Sequence, residues 1–159
     1  MDQQAIQDFY PEELSYCYGC GRQNEHGLHI KSMWEGDETI AVYTPQSYHI
    51  AIPGYVYGGL TASLIDCHGT GTAAAAAYRN AGRSPGTEPE FRFVTASLHV
   101  DFLRPTPLGV PLTLRGTILE IKERKVIVEI TVSADGVICS RGKVVAVQMP
   151  DSMIPKGPK

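Results

Sequence analysis

Long apolar runs are missing from this chain of 159 residues. Nothing approaches the roughly 20 consecutive apolar residues that a membrane-spanning helix needs, so a membrane is not an expected partner. A basic excess is missing too. Lys and Arg number 14 against 17 Asp and Glu, for a net charge of -3. Nucleic acid usually demands the opposite balance and is not expected as a partner either. The first ten residues are polar and acidic, without the basic start and apolar middle of an export signal. A cytoplasmic location is the expectation. Cysteine is scarce, with only Cys17, Cys20, Cys67 and Cys139. Without an export signal these are expected as reduced thiols rather than disulfides.

Hydrophobic residues make up 43% and charged residues 19%, an ordinary globular composition. The length suits a single domain over 1–159, with a loose lead-in at 1–15 and a flexible tail at 150–159. Strand patterns run at 28–34 and 38–44, with Glu35-Gly36-Asp37 as the turn of a hairpin. A helix is predicted over 58–78. Leu60, Leu64, Cys67, Gly71, Ala74 and Tyr78 recur at spacings of three and four. Gly69, Gly71 and the alanine run at 73–77 would let other backbone come very close to it. Residues 79–90 hold Gly82, Pro85, Gly86 and Pro89 and are expected as a loop.

Beyond that loop, Val94, Ala96, Leu98, Val100 and Phe102 alternate with polar residues, as in a strand. Three more strand patterns follow at 112–121, 125–133 and 137–148, joined by short turns into an antiparallel meander. Segregated helix and strands predict an α+β domain, with one long helix wrapped by a curved antiparallel sheet of about six strands.

The motifs now carry a resemblance. Tyr57-Gly58-Gly59-Leu60-Thr61-Ala62-Ser63-Leu64-Ile65-Asp66 resembles the His-Gly-Gly segment of PaaI-like hotdog-fold thioesterases, where an acidic residue follows on the same helix. Residues 94–105 resemble that family's long central strand. Cys17-Tyr18-Gly19-Cys20-Gly21, followed by Asn24, His26, Gly27 and Leu28, resembles the N-terminal segment of one branch; THEM-type thioesterases are more distant. The resemblance covers about residues 16–148. It implies a hotdog fold, hydrolysis of acyl-CoA thioesters, no metal, no organic cofactor, and a homodimer or dimer of dimers. The sequence departs from the pattern at Tyr57, where family members usually carry His, and in the long loop at 79–90.

Thioester hydrolysis needs an activated water or nucleophile, a cradle for the oxyanion, and a groove for the acyl carrier. Asp66, within a small and apolar helical stretch, is the candidate base or nucleophile; the structural alternative is a carboxylate that caps or pairs within a dimer. Gly58 and Gly59 are the oxyanion candidates, because the first amides of a helix lack internal acceptors and its dipole is positive there. Their alternative is a tight turn that needs glycine. Gly59 and Asp66 lie two turns apart, ~10 Å along the axis, too far to reach one carbonyl from a single helix. That spacing predicts a composite site between two subunits, and the resemblance implies the same.

By the resemblance, Thr95 lies beside the partner subunit's carboxylate and could orient water; otherwise it is a routine strand threonine. Tyr57 and His49 are candidates for the substrate pocket. Arg104 and Arg83 are candidates for the phosphates of the carrier, with Arg79 and Arg92 near them; each is otherwise an ordinary solvated charge. His68 follows Asp66 by two positions, so it is expected to point away and bond elsewhere. Cys67 reads as a buried small residue.

Cys17 and Cys20 with His26 and His29 offer four zinc ligands, but the spacing is short and there is no second Cys-x-x-Cys. A turn packing under the sheet is the favoured reading. Two other functions remain open: a non-catalytic binder of acyl-CoA or a related acyl ligand, and a hotdog hydratase or dehydratase. The last would want a His beside the acid, and none pairs with Asp66.

Overall fold

The computed structural model describes residues 3–157. Six strands form one sheet: β1 (Met33–Glu35), β2 (Glu38–Tyr43), β3 (Phe93–Phe102), β4 (Leu112–Lys122), β5 (Lys125–Ala134) and β6 (Val137–Gln148). Their order is β1-β2-β4-β5-β6-β3, and every neighbouring pair is antiparallel. One long helix, α1 (Gly58–Asn80), lies against the sheet. This is the α+β hotdog arrangement that the sequence led us to expect.

The meander forms where turn chemistry allows it. Ala134 pairs with Val137 across two residues, Asp135 at φ 49° and Gly136 at φ 76°. Positive φ at both positions is the twist a two-residue hairpin loop requires. Along β5 buried and half-buried residues alternate without a break, so Val126, Val128, Ile130 and Val132 all face the helix side. Leu112, Leu114, Val144 and Ala146 complete that inner face.

The inner face meets a helix with little polar surface. Every residue from Cys67 to Tyr78 is buried. Small side chains make this possible. A Cβ on Gly69 would stand 2.5 Å from Val144 Cγ2, so only glycine lets β6 come this close.

Two expectations need correction. The first strand is shorter than 28–34, because Leu28 and Ile30 donate their amides to Tyr18 and Gly19 instead of a neighbouring strand. His29 adopts φ 55°, which no regular strand tolerates. The lead-in is not loose. Ile6–Phe9 and Glu12–Leu14 form 3-10 turns, and Ile6, Gln7, Tyr10 and Ser15 are buried. Its polar sequence hid this because Gln7 is buried through hydrogen bonds, to Ser32 Oγ at 2.9 Å and from the Ser32 amide at 2.8 Å. Strand β3 forms as expected but leaves most of both faces uncovered within the chain. It ends the sheet, bulges between Thr95 and Ser97, and leaves Leu98 40% and Phe102 57% exposed. The tail from Asp151 to Gly157 is exposed apart from one 3-10 turn's backbone bonding; residues 158 and 159 lie outside the described part.

Candidate active site

Asp66 sits midway along α1 on the side turned toward β3 and is half-buried. Thr95, at the bulge of β3, donates its hydroxyl to Asp66 Oδ1. A hydrogen bond to an ionised acceptor is among the stronger kinds. It fixes one carboxylate oxygen and leaves Oδ2 to accept from another donor. The Thr95 contact lies within one chain, with that chain's own Asp66, where the resemblance implied a partner's acid. The bulge re-aims this side chain.

Two turns up the same helix, the Gly58 and Gly59 amides donate to no acceptor among the described residues. Leu60 is the first residue of the helix to find one, the Tyr57 carbonyl at 3.1 Å. Tyr57 precedes the helix, 59% exposed, and folds its ring over the second glycine. A Cβ on Gly59 would meet the Tyr57 ring at 2.3 Å. Gly58 faces Phe102 of β3, whose ring lies 3.3 Å from where a Cβ would stand.

A groove of ≈ 580 Å³ opens at this end of the helix, lined by Tyr55, Gly58, Thr61, Phe102, Arg104 and Thr106 among others. That volume suits a small-molecule ligand. Gly58 and Arg104 therefore share one cleft. The Arg104 guanidinium also donates to the Ile138 carbonyl at 3.0 Å, which holds it at the rim.

A family profile for the thioesterase superfamily matches residues 53–139. The chain belongs to the thioesterase superfamily. A crystal structure of a thioesterase superfamily protein from Shewanella loihica PV-4 is 50% identical, covering 89% of this chain and all of that one, with a TM-score of 0.69. A thioesterase from Haemophilus influenzae is 15% identical over 87% of this chain and 90% of its own, at 0.66. A phenylacetic acid degradation-related protein from Ralstonia eutropha JMP134 is 18% identical over 76% of this chain and 85% of its own, at 0.63. The last two show likeness of fold. No curated protein matches the chain.

In this superfamily member the other sequence-predicted residues fall in different places. His49 accepts the Gln46 amide at Nδ1, 2.9 Å away, and its carbonyl accepts the Tyr57 amide. Burial pushes its imidazole below the ordinary histidine range. It braces the loop that carries Tyr57. Arg83 lies beyond the far end of α1. It donates to the Thr87 and Pro89 carbonyls at 2.6 Å and stacks over Phe91, closing the 79–90 loop. It is not part of the groove that holds Gly58 and Arg104. Arg79 stacks on Trp34, 3.4 Å from the ring centroid.

His68 points away from Asp66, as expected. It is fully buried, with Nδ1 bonded to Ser32 Oγ at 2.8 Å and Nε2 to Thr39 Oγ1 at 3.2 Å. Burial pushes it down to about 4, so it is neutral near pH 7.

Sequence reasoning missed Thr61 and Phe102 as groove residues. Phe102 had a signal, as the last apolar member of the β3 alternation; Thr61 is one threonine among several and had none. The alternative grouping of Cys17 and Cys20 with His26 and His29 does not form. His26 and His29 are exposed, and His29 Nε2 bonds the Asn24 carbonyl at 2.5 Å. The third member of the cysteine group is Cys67.

Proposed function

We propose that this chain is an acyl-CoA thioesterase whose active site is shared by two subunits. The observation that carries the reading is Asp66. It is a half-buried carboxylate on a largely buried helix, held at one oxygen by Thr95 and turned toward an uncovered edge strand. A charge in such a place costs stability unless it is partnered, and here one oxygen remains available for chemistry.

The thioester carbonyl lies between the free amide of Gly59 in one subunit and Asp66 of the other. The carbonyl oxygen faces the helix N-terminus, where unpaired N–H groups and the helix dipole stabilise developing negative charge. Water attacks the carbonyl carbon while Asp66 takes its proton. The carbon–sulfur bond then breaks, and the proton passes to the departing thiolate. Direct attack by the Asp66 carboxylate is the other route to the same products. A single turnover in heavy-oxygen water separates them, since only water attack labels the acid formed in that first turnover. Arg104, at the rim beside Gly58, is suited to a phosphate of the carrier.

The dimer rests on β3. It is a ten-residue edge strand with exposed apolar side chains, a surface that invites pairing with another strand. Pairing two copies there brings the helix of one alongside the helix of the other.

One observation favours non-catalytic binding instead. The Tyr57 ring lies where a Cβ of Gly59 would be and shields that glycine. The deciding experiment is thiol release from short, medium, long and aromatic acyl-CoAs by wild type, Asp66→Ala and Asp66→Asn. Hydrolysis predicts turnover that falls by roughly 100-fold or more in both variants, the scale of a lost general base. Binding without turnover by the wild type sinks the hydrolase reading and favours the binder.

A further inference from the structure

Three of the four cysteines converge although they come from distant parts of the sequence. Cys17 and Cys20 bracket the turn Cys17-Tyr18-Gly19-Cys20-Gly21, and Cys67 comes from α1. Their sulfurs all lie within 4.8 Å of one another, and Cys17 Sγ is 3.6 Å from Cys67 Sγ. Four ligands at the ordinary zinc–sulfur distance of about 2.3 Å stand ~3.8 Å apart in a tetrahedron. The spacing in this cluster is of that size.

The surroundings hold the cluster in a closed turn beside a cation. The turn is closed by the Gly21 amide on the Cys17 carbonyl at 2.7 Å. Arg92 is near enough to interact electrostatically with all three sulfurs, and its guanidinium stacks on Tyr10, 4.5 Å from the ring centroid. Its positive charge offsets the excess negative charge of three thiolates around a divalent cation.

A second, independent feature points to something more than three thiols. The Tyr10 hydroxyl is buried, with no hydrogen-bond partner among the described residues, and lies close enough to interact with Cys20, Cys67 and Cys17. Buried hydroxyls almost always find an acceptor. A metal-held thiolate is an acceptor of the kind it lacks. Gly19 is pressed so tightly on the helix that a Cβ there would stand 2.2 Å from Cys67 Sγ. Cys17 is half-exposed, which leaves a path for an ion.

We infer that Cys17, Cys20 and Cys67 form a three-thiolate site for a soft divalent metal ion of the zinc type, beneath the Tyr10 hydroxyl. Binding releases the three thiol protons and leaves the fourth coordination position to solvent. The ion clamps the N-terminal turn to α1 at the residue next to Asp66. Because it holds the backbone of the acid rather than touching substrate, it is a structural site, and it stands independently of the thioesterase reading.

A disulfide is the competing use of these sulfurs, but it would join two and leave the third and the Tyr10 hydroxyl unexplained. The test uses the full chain, purified under reducing conditions from zinc-supplemented cells. Its metal content is measured by mass spectrometry, and its affinity by cobalt titration, read as sulfur-to-cobalt charge-transfer absorption. The expected result is about one ion per chain, as three thiolates make one four-coordinate site. Cys17→Ser and Cys20→Ser should each weaken binding by more than ~100-fold, beyond the usual effect of losing an outer-sphere partner. Cys139→Ser should bind like wild type. Wild type that takes up neither zinc nor cobalt after reduction overturns the inference, whether its sulfurs are free or had been joined as a disulfide. So does a Cys17→Ser variant that binds cobalt as tightly as wild type.

Discussion

At Asp66 one charge, one hydrogen bond and one free oxygen meet. The Thr95 hydroxyl sets the angle of the carboxylate, and its position on an exposed strand means that little else depends on it. Thr95→Val should therefore leave the unfolding midpoint within experimental error. Turnover should drop by about 10-fold to 100-fold, the scale of a lost hydrogen bond to a charged group. Steady-state kinetics beside a urea titration would check it; equal losses of stability and rate would mean that Thr95 is merely structural. Asp66 was legible in the sequence because a carboxylate in an alanine- and glycine-rich helix is costly and so calls for a reason. The direct Thr95 contact within one chain was not, since it depends on a bulge that displaces the strand register after Thr95. The loop-closing contacts of Arg83 were hidden for a related reason. Its charge is visible in a sequence, but its use in closing the loop at 79–90 depends on carbonyls that only the folded loop presents.

The helix and the meander could be read from period and turn residues alone, since small residues at helical spacing and two-residue turns each impose a local geometry. The burial of the lead-in and the exposure of β3 could not, because both are decided by what packs on them. Gln7 is polar by composition yet sits in the core through Ser32. β3 alternates like a half-buried strand, but the surface that would cover its outer edge is not supplied by the chain itself. At this scale the tight approach of α1 to β6 gives a clear test. Gly69→Ala puts a methyl 2.5 Å from Val144 Cγ2, and both residues are buried. Overpacking of that kind costs about 1–3 kcal/mol. The urea midpoint should fall accordingly, and a paired Val144→Ala change should recover part of the loss. A midpoint unchanged by Gly69→Ala would mean that helix and sheet can part more freely than their contact suggests.

For the molecule as a whole, assembly and acid stability are separable. Leu98→Asp places a charge on the exposed edge strand without touching Asp66 or the glycines. If two copies pair there as proposed, it should leave a monomer in sedimentation velocity and abolish turnover together; a monomer that keeps full activity would remove the case for a shared site. Acid stability belongs instead to His68, which links the lead-in, β2 and α1. Gln7 donates to Ser32, His68 bonds Ser32 and Thr39, and Thr39 bonds Thr72. Burial holds the folded imidazole at about 4, against about 6.5 in an unfolded chain. Between those values the unfolded chain binds the extra proton, so stability falls as the pH drops through that window and is complete above it. The full span corresponds to about 3 kcal/mol. Urea titrations at pH 7 and pH 5 should show most of that loss in the wild type. His68→Gln should start less stable at pH 7, because the network is cut, yet lose much less between the two pH values. If the variant kept the wild-type slope, the titrating group would have to lie elsewhere.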